Sequence, residues 1–170
     1  ALSLDGVDDY IQIANNDELK LRSTGPFTVA ASMNPILTDQ QQMIVYHGLG
    51  CSTWASWFLS IGGSENGESP GMVTFGMRSG NGGANVRVAA GAKSGEWVDL
   101  VATYDGAELR LYVNGRMADS AEAAVPPFDS QEDLYIGAEP GCDGRTYYGG
   151  LIDNLVIYDH AMTAAEVAGR

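Results

Sequence analysis

The chain has 170 residues, with 22 acidic against 9 basic side chains and a formal net charge of −13. This balance excludes nucleic acid as a partner, because no basic stripe is present to displace phosphate counterions. Mean hydropathy is near zero, at −0.09, and no apolar run approaches the roughly 20 residues that span a bilayer, so membrane insertion is excluded and a soluble globular protein is expected.

A single domain over residues 1–170 is expected from the length. A chain of this size buries about 70% of its unfolded surface and can hold its own core. It starts at Ala1 without methionine or signal peptide, which reads as a module cut from a longer or processed chain. The pI of about 4.2 suits a secreted protein, a calcium binder or a protein from a salty environment, and equally suits simple solubility.

In chain order, short Val-, Ile-, Leu- and Tyr-rich runs predict strands over 8–13, 26–33, 43–47, 56–61, 71–78 and 85–90. The stretch "EWVDLVATYDGAELRLYVNG" then predicts a hairpin through Asp105-Gly106, with Leu109, Leu111 and Val113 on one face and Glu108, Arg110 and Tyr112 on the other, and a further turn at Asn114-Gly115. Strands over 117–123, 133–137 and 150–158 follow. One helix is expected, in "TAAEVAG", with Thr163 and Glu166 as a capping box and Gly169 as its terminator. Many short strands with turns between them predict an all-β fold, an antiparallel β-sandwich of jelly-roll type with one short C-terminal helix.

The two cysteines, Cys51 and Cys142, lie in glycine-rich, loop-like stretches, "HGLGCSTW" and "EPGCDGRT". Loop cysteines fit a disulfide formed in an oxidising compartment, which would close a loop of about 90 residues and contribute at most roughly 4–5 kcal/mol. Two unrelated thiols are the alternative.

Four stretches together carry a resemblance: "LSLDGVDDYIQI" at 2–13, "PFTVAASMNP" at 26–35, "WVDLVATYDGAELRLYVNG" at 97–115 and "LYIGAEPGCDGRTYYGGLIDNLVIYDHAMTAAEV" at 134–167. In this order they resemble the laminin G-like branch of the concanavalin A-like lectin/glucanase superfamily. The resemblance implies two stacked, curved antiparallel sheets. Two positions depart from the family pattern. Ser32 stands where the family usually has tryptophan, and Asp99 where it often has histidine.

The resemblance also implies a structural calcium and puts Asp153, in "GLIDNLVIY", at the position of a ligating aspartate. A carboxylate among aliphatics needs such compensation. Calcium takes six to eight hard oxygens. "LDGVDDY" offers Asp5, Asp8 and Asp9, and "ANNDEL" adds Asn15, Asn16 and Asp17. Asp5 and Asp17 are therefore expected to join Asp153. The alternative is that Asp153 accepts hydrogen bonds from loop amides.

Catalysis is not expected. Glucanase relatives use acids at alternate strand positions, whereas Glu96 and Asp99 differ by three and point to opposite faces. His47 and His160 lie outside any nucleophile elbow. Lectin-like domains of this fold bind carbohydrate on one sheet or in the loops at its edge. Here Trp54, Asp143, Arg145 and Tyr147 would form one rim, drawn together by a Cys51–Cys142 bond, with His47 and Glu139 able to join. Arg78 and Arg87, with Asn85, would line an open sheet face whose guanidinium forks suit an acidic glycan. Trp57, Trp97 and Tyr148 are expected in the core. The resulting expectation is a non-catalytic carbohydrate-binding module, secreted or at the cell surface, monomeric as isolated, with a glycan as partner. The alternatives are a protein-interaction or adhesion domain and a structural spacer.

Overall fold

A computed structural model describes residues 1–16, 19, 25–48, 55–64, 68–79, 82–88, 91–123, 130–139 and 146–170, and of 78, 79, 82–85, 87 and 88 it describes the backbone. The strands are β1 (Leu2–Asp5), β2 (Ile11–Ile13), β3 (Phe27–Pro35), β4 (Gln42–Gly48), β5 (Ala55–Ile61), β6 (Val73–Ser79), β7 (Gly82–Val88), β8 (Val98–Tyr104), β9 (Glu108–Val113), β10 (Arg116–Glu122), β11 (Leu134–Ile136) and β12 (Gly149–Tyr158), followed by α1 (Ala164–Ala168). They form two six-stranded antiparallel sheets. The first runs β1-β12-β3-β8-β9-β10 and the second β2-β11-β4-β5-β6-β7.

The inner faces of the two sheets share one core. Phe27 of the first sheet is its hinge-point: its ring lies 5.5 Å from Trp57 and 6.1 Å from Phe75 on the second sheet, and 6.0 Å from Tyr104 beside it. Such tilted and edge-on contacts suit the ring quadrupole. Period-two alternation sends Val73, Phe75 and Met77 into this core. The β8–β9 hairpin forms where Asp105-Gly106 was expected. Asp105 Oδ1 accepts from the amides of Ala107 and Glu108 at 3.0 and 2.9 Å, and its Oδ2 lies 2.7 Å from Arg110 Nη1.

Of the strand expected over 8–13, residues 11–13 form β2, while 8–10 belong to the connection from β1, a strand at 2–5 that was not expected. β1 pairs with β12, and β2 pairs with β11. Gly6, at φ +78, turns the chain between them in a conformation that side chains disfavour. The bend is fastened by Asp5 Oδ1, which accepts from the amides of Val7 and Asp8 at 2.8 and 3.3 Å. An aspartate that bonds backbone just ahead of it competes with strand extension.

The helix is capped as expected. Thr163 Oγ1 accepts from Glu166 N at 3.3 Å, and the Glu166 carboxylate accepts from Thr163 N at 2.7 Å. Val167 of this helix seals a small apolar patch of Ala30, Val101 and Tyr112 on the outer face of the first sheet. No helix among the described residues is long and apolar enough to cross a membrane.

Candidate functional site

The second sheet places a row of side chains across its outer face. Strand register aligns Gln12, Tyr135, Tyr46 and Phe58 on β2, β11, β4 and β5 in turn. Tyr46 and Phe58 are buried, packed with Met43 and Ala55, and Tyr135 leans on them. Toward the β2 edge, the Tyr10 ring lies 6.1 Å from Tyr135 and 6.4 Å from Tyr147. Tyr10 is 38% exposed, and Tyr135 and Tyr147 are half-buried. Three phenols therefore gather at one sheet edge, with apolar ring faces and polar tips.

Polar groups flank this cluster. Gln12 Nε2 donates to Asp133 Oδ2 at 2.5 Å, and Asn15 N donates to Asp133 Oδ1 at 2.9 Å. These two bonds hold the Asp133 carboxyl below the usual carboxylate range. Tyr147 forms a bridge with Ala138, and the amide of Glu139 donates to Thr146 O at 3.3 Å, so the Glu139 backbone is held beside the cluster. Of the expected rim, Tyr147 and Glu139 do come together. Tyr10 and Tyr135 were missed. Each sits in an alternating run that reads as ordinary strand, and only the pairing of β2 with β11 makes them neighbours.

Other expected residues are placed elsewhere. His47 is a correction: it is 4% exposed and faces inward, opposite Trp57 with rings 5.8 Å apart. Its strand phase, one residue from outward-facing Tyr46, forces this. Trp57 and Tyr148 are core, as expected, and burial pushes the Tyr148 phenol well above its ordinary pKa. Trp97 is half exposed, at 50%, because β8 begins one residue after it. Arg78 lies in β6 and Arg87 in β7, where Arg87 pairs with Thr74; their side chains, with that of Asn85, lie outside the described residues. So do Trp54, Asp143, Arg145, Asp17, Cys51 and Cys142.

Asp5 and Asp153, both expected as metal ligands, lie in two different places. Oxygens of Asp5, Asp8 and Asp9 lie within 4.8 Å of one another at the surface. Hydrogen bonds from the amides of Val7 and Asp8 hold the Asp5 carboxyl below its ordinary pKa, so it stays ionised. Three converging carboxylates are hard oxygen donors of the type calcium takes, and this set fits the cation that the fold family implies. Asp153 does not join it. β1 pairs with β12 so that Leu2 faces Ile152 and Asp5 faces Gly149. Asp153 therefore lies beyond the opposite end of that ladder, about 13 Å from Asp5 along the strand. Nor is Asp153 among aliphatics. Its side chain is 48% exposed, because a bulge interrupts β12 between Asp153 and Val156. Its Oδ1 accepts from Asn154 N at 2.9 Å.

The two departures from the family pattern are partners. Ser32 and Asp99 face each other across β3 and β8, and Ser32 Oγ donates to Asp99 Oδ1 at 2.5 Å. Glu96, before β8, lies 3.6 Å from Lys93 instead.

The family model for the concanavalin A-like lectin/glucanase superfamily matches residues 5–168. The chain belongs to that superfamily. A search of curated proteins finds no match. Among solved structures, this superfamily member is similar to the CBM40 domain of the Ruminococcus gnavus IT-sialidase bound to alpha2,3 sialyllactose, with TM-score 0.75 and 15% identity over 99% of this chain and 97% of that one. It is also similar to a Bacteroides ovatus ATCC 8483 protein provisionally described as carbohydrate binding, with TM-score 0.72 and 19% identity over 98% of this chain and 47% of that one. A third is mouse laminin alpha1 chain, domains LG4-5, with TM-score 0.66 and 16% identity over 95% of this chain and 43% of that one. The chain thus spans about half the length of two of these three. At such identities the likeness shows the fold.

Proposed function

We propose that this superfamily member is a non-catalytic carbohydrate-binding module. The observation that carries the reading is the cluster of Tyr10, Tyr135 and Tyr147 at the β2–β11 edge. Aromatic faces stack on the C–H faces of sugar rings, and polar groups such as Glu139 and the hydrogen-bonded Gln12–Asp133 pair select among hydroxyls. The sequence adds Trp54, Asp143 and Arg145 to this rim, and Arg78 and Arg87 to an acidic-glycan preference. A structural calcium at Asp5, Asp8 and Asp9 would hold the turn between β1 and β2. A secreted or cell-surface setting completes the reading.

A glycan array, containing neutral and acidic polysaccharides and run with and without calcium, tests it. Tyr10→Ala, Tyr147→Ala, Trp54→Ala and Arg145→Ala are compared with the parent. Loss of one shared glycan signal in the tyrosine variants supports the proposal. Unchanged binding in all four, or turnover of a polysaccharide by the isolated chain, overturns it.

A protein-interaction role is the second reading. It is favoured by the exposed apolar residues Val7, Ile36 and Trp97, at 68%, 59% and 50%. A protein partner would need a patch on the order of 800 Å².

A further inference from the structure

The outer face of the first sheet carries a basin of about 610 Å³, within the roughly 300–1,000 Å³ typical of small-molecule sites. It lies on the opposite sheet from the tyrosine cluster. Three features open it. Ser32 supplies only a short side chain on β3. The β9–β10 turn at Asn114-Gly115 forms one wall, and the β12 bulge at Asn154, together with α1, forms the other. Asn114 and Asn154 have φ of 50° and 49° and are the two described non-glycine residues with positive φ. Both line this basin. At Asn114 the positive φ is the ordinary conformation of an Asn-Gly hairpin turn, and at Asn154 it accompanies the β12 bulge.

Its chemistry is mixed in a specific way. Asp99 receives Ser32 Oγ on Oδ1, which leaves Oδ2 to accept. Asn114 Oδ1 accepts from Asp99 N at 3.0 Å, which turns the Asn114 amide nitrogen outward as a donor. Arg170 Nη2 donates to Asn154 O at 2.7 Å, which fixes the guanidinium at the rim with further N–H groups to give. The floor is apolar, made of Val101, Val156 and Tyr158. An anion would meet Asp99, with Asp153 next in the same row beyond Ser32. A cation would meet Arg170. With opposite charges at its rim the basin presents no single ionic field, and a neutral ligand with hydroxyls around an apolar ring face can both donate to Asp99 and accept from Asn114 and Arg170.

The geometry points to a second ligand site in this basin, for a short neutral saccharide, independent of the tyrosine cluster. Asp99, Asn114 and Arg170 pair with hydroxyls, and Val156 with Tyr158 supports the ring.

The test is an NMR titration of the intact chain with a panel of neutral methyl glycosides and disaccharides, followed through the backbone amides of Asp99, Asn114, Gly115, Asn154 and Arg170. The expected result is saturable shifts of these amides by at least one sugar. Asp99→Ala and Arg170→Ala each weaken that binding about ten-fold, while Tyr147→Ala leaves it unchanged. Both substituted positions are exposed, and the unbound spectra of the variants verify that they fold. The proposal is overturned if no sugar moves these amides at saturation. It is also overturned if sulfate or ammonium ions move them and sugars do not, or if both basin variants bind like the parent. Because Tyr147→Ala probes the other sheet, failure here is separable from failure of the tyrosine-cluster reading.

Discussion

Asp5 and Asp153 stand at opposite ends of the β1–β12 ladder, with Asp5 opposite Gly149 and Asp153 one residue past the Leu2–Ile152 pair. One cation cannot bridge them. If calcium stabilises this chain, the group that holds it is Asp5, Asp8 and Asp9, whose oxygens converge. Calcium is expected to raise the melting temperature of the parent. Asp8→Asn or Asp9→Asn should abolish the rise, and Asp153→Asn should leave it intact. Calorimetry with calcium and with chelator reads all three. Loss of the rise in Asp153→Asn alone would move the site to the other end of the ladder.

The β8–β9 hairpin carries the clearest acid sensitivity. Partial burial pushes the Asp105 carboxyl up, but the amides of Glu108 and Ala107 and the Arg110 guanidinium outweigh it and hold its pKa below the ordinary value of 3.8. A depressed carboxyl pKa contributes stability that is complete above about pH 4 and declines as the pH falls through the folded-state value. Asp105→Ala is expected to destabilise by about 1–2 kcal/mol at pH 7. The difference from the parent should shrink below pH 4. Urea melts across that range measure it, and a pH-independent difference would contradict the assignment.

Gly150 sets how closely β12 approaches β3. Its φ is +133°, and a Cβ built there would lie 2.3 Å from Asn34 O and 2.9 Å from Pro35 Cα. These are backbone atoms, which cannot swing aside. Gly150→Ala is expected to cost about 3 kcal/mol or more, from overpacking added to the disfavoured dihedral. A cost below about 1 kcal/mol by denaturant melts would mean that the strand pair can separate.

The capping box couples a short helix to the basin. Thr163→Ala removes the acceptor for Glu166 N and should lower stability by about 1 kcal/mol. Frayed α1 would release Val167 from its seat on Ala30, Val101 and Tyr112. Faster hydrogen exchange at Val167 and Ala168, with the sandwich amides unchanged, is the expected signature.

Local rules made most of the fold legible. Alternation in "AELRLYV", the Asp105-Gly106 and Asn114-Gly115 turns, and the capping box each depend on residues a few positions apart. The structure places them as expected. The strand β1 at 2–5 and the turn after it were not legible, since hydrophobic pattern alone does not distinguish a strand from a turn fastened by Asp5. His47 and Trp97 went wrong for related reasons. A shift of one residue in phase or in strand start reverses which face a side chain takes.

The amino-acid order by itself determined the sandwich class, the hairpins, the acidic surface and the superfamily, because these follow from period, turn chemistry and composition. Tertiary structure decided which residues share a site. Tyr10, Tyr135 and Tyr147 meet through the pairing of β2 with β11 and the bridge at Ala138, and Ser32 meets Asp99 through the register of β3 and β8. Tyr10 lies 125 and 137 positions from Tyr135 and Tyr147, and Ser32 lies 67 from Asp99. Only closure of the sheets, driven by burial of the shared core, sets their distance.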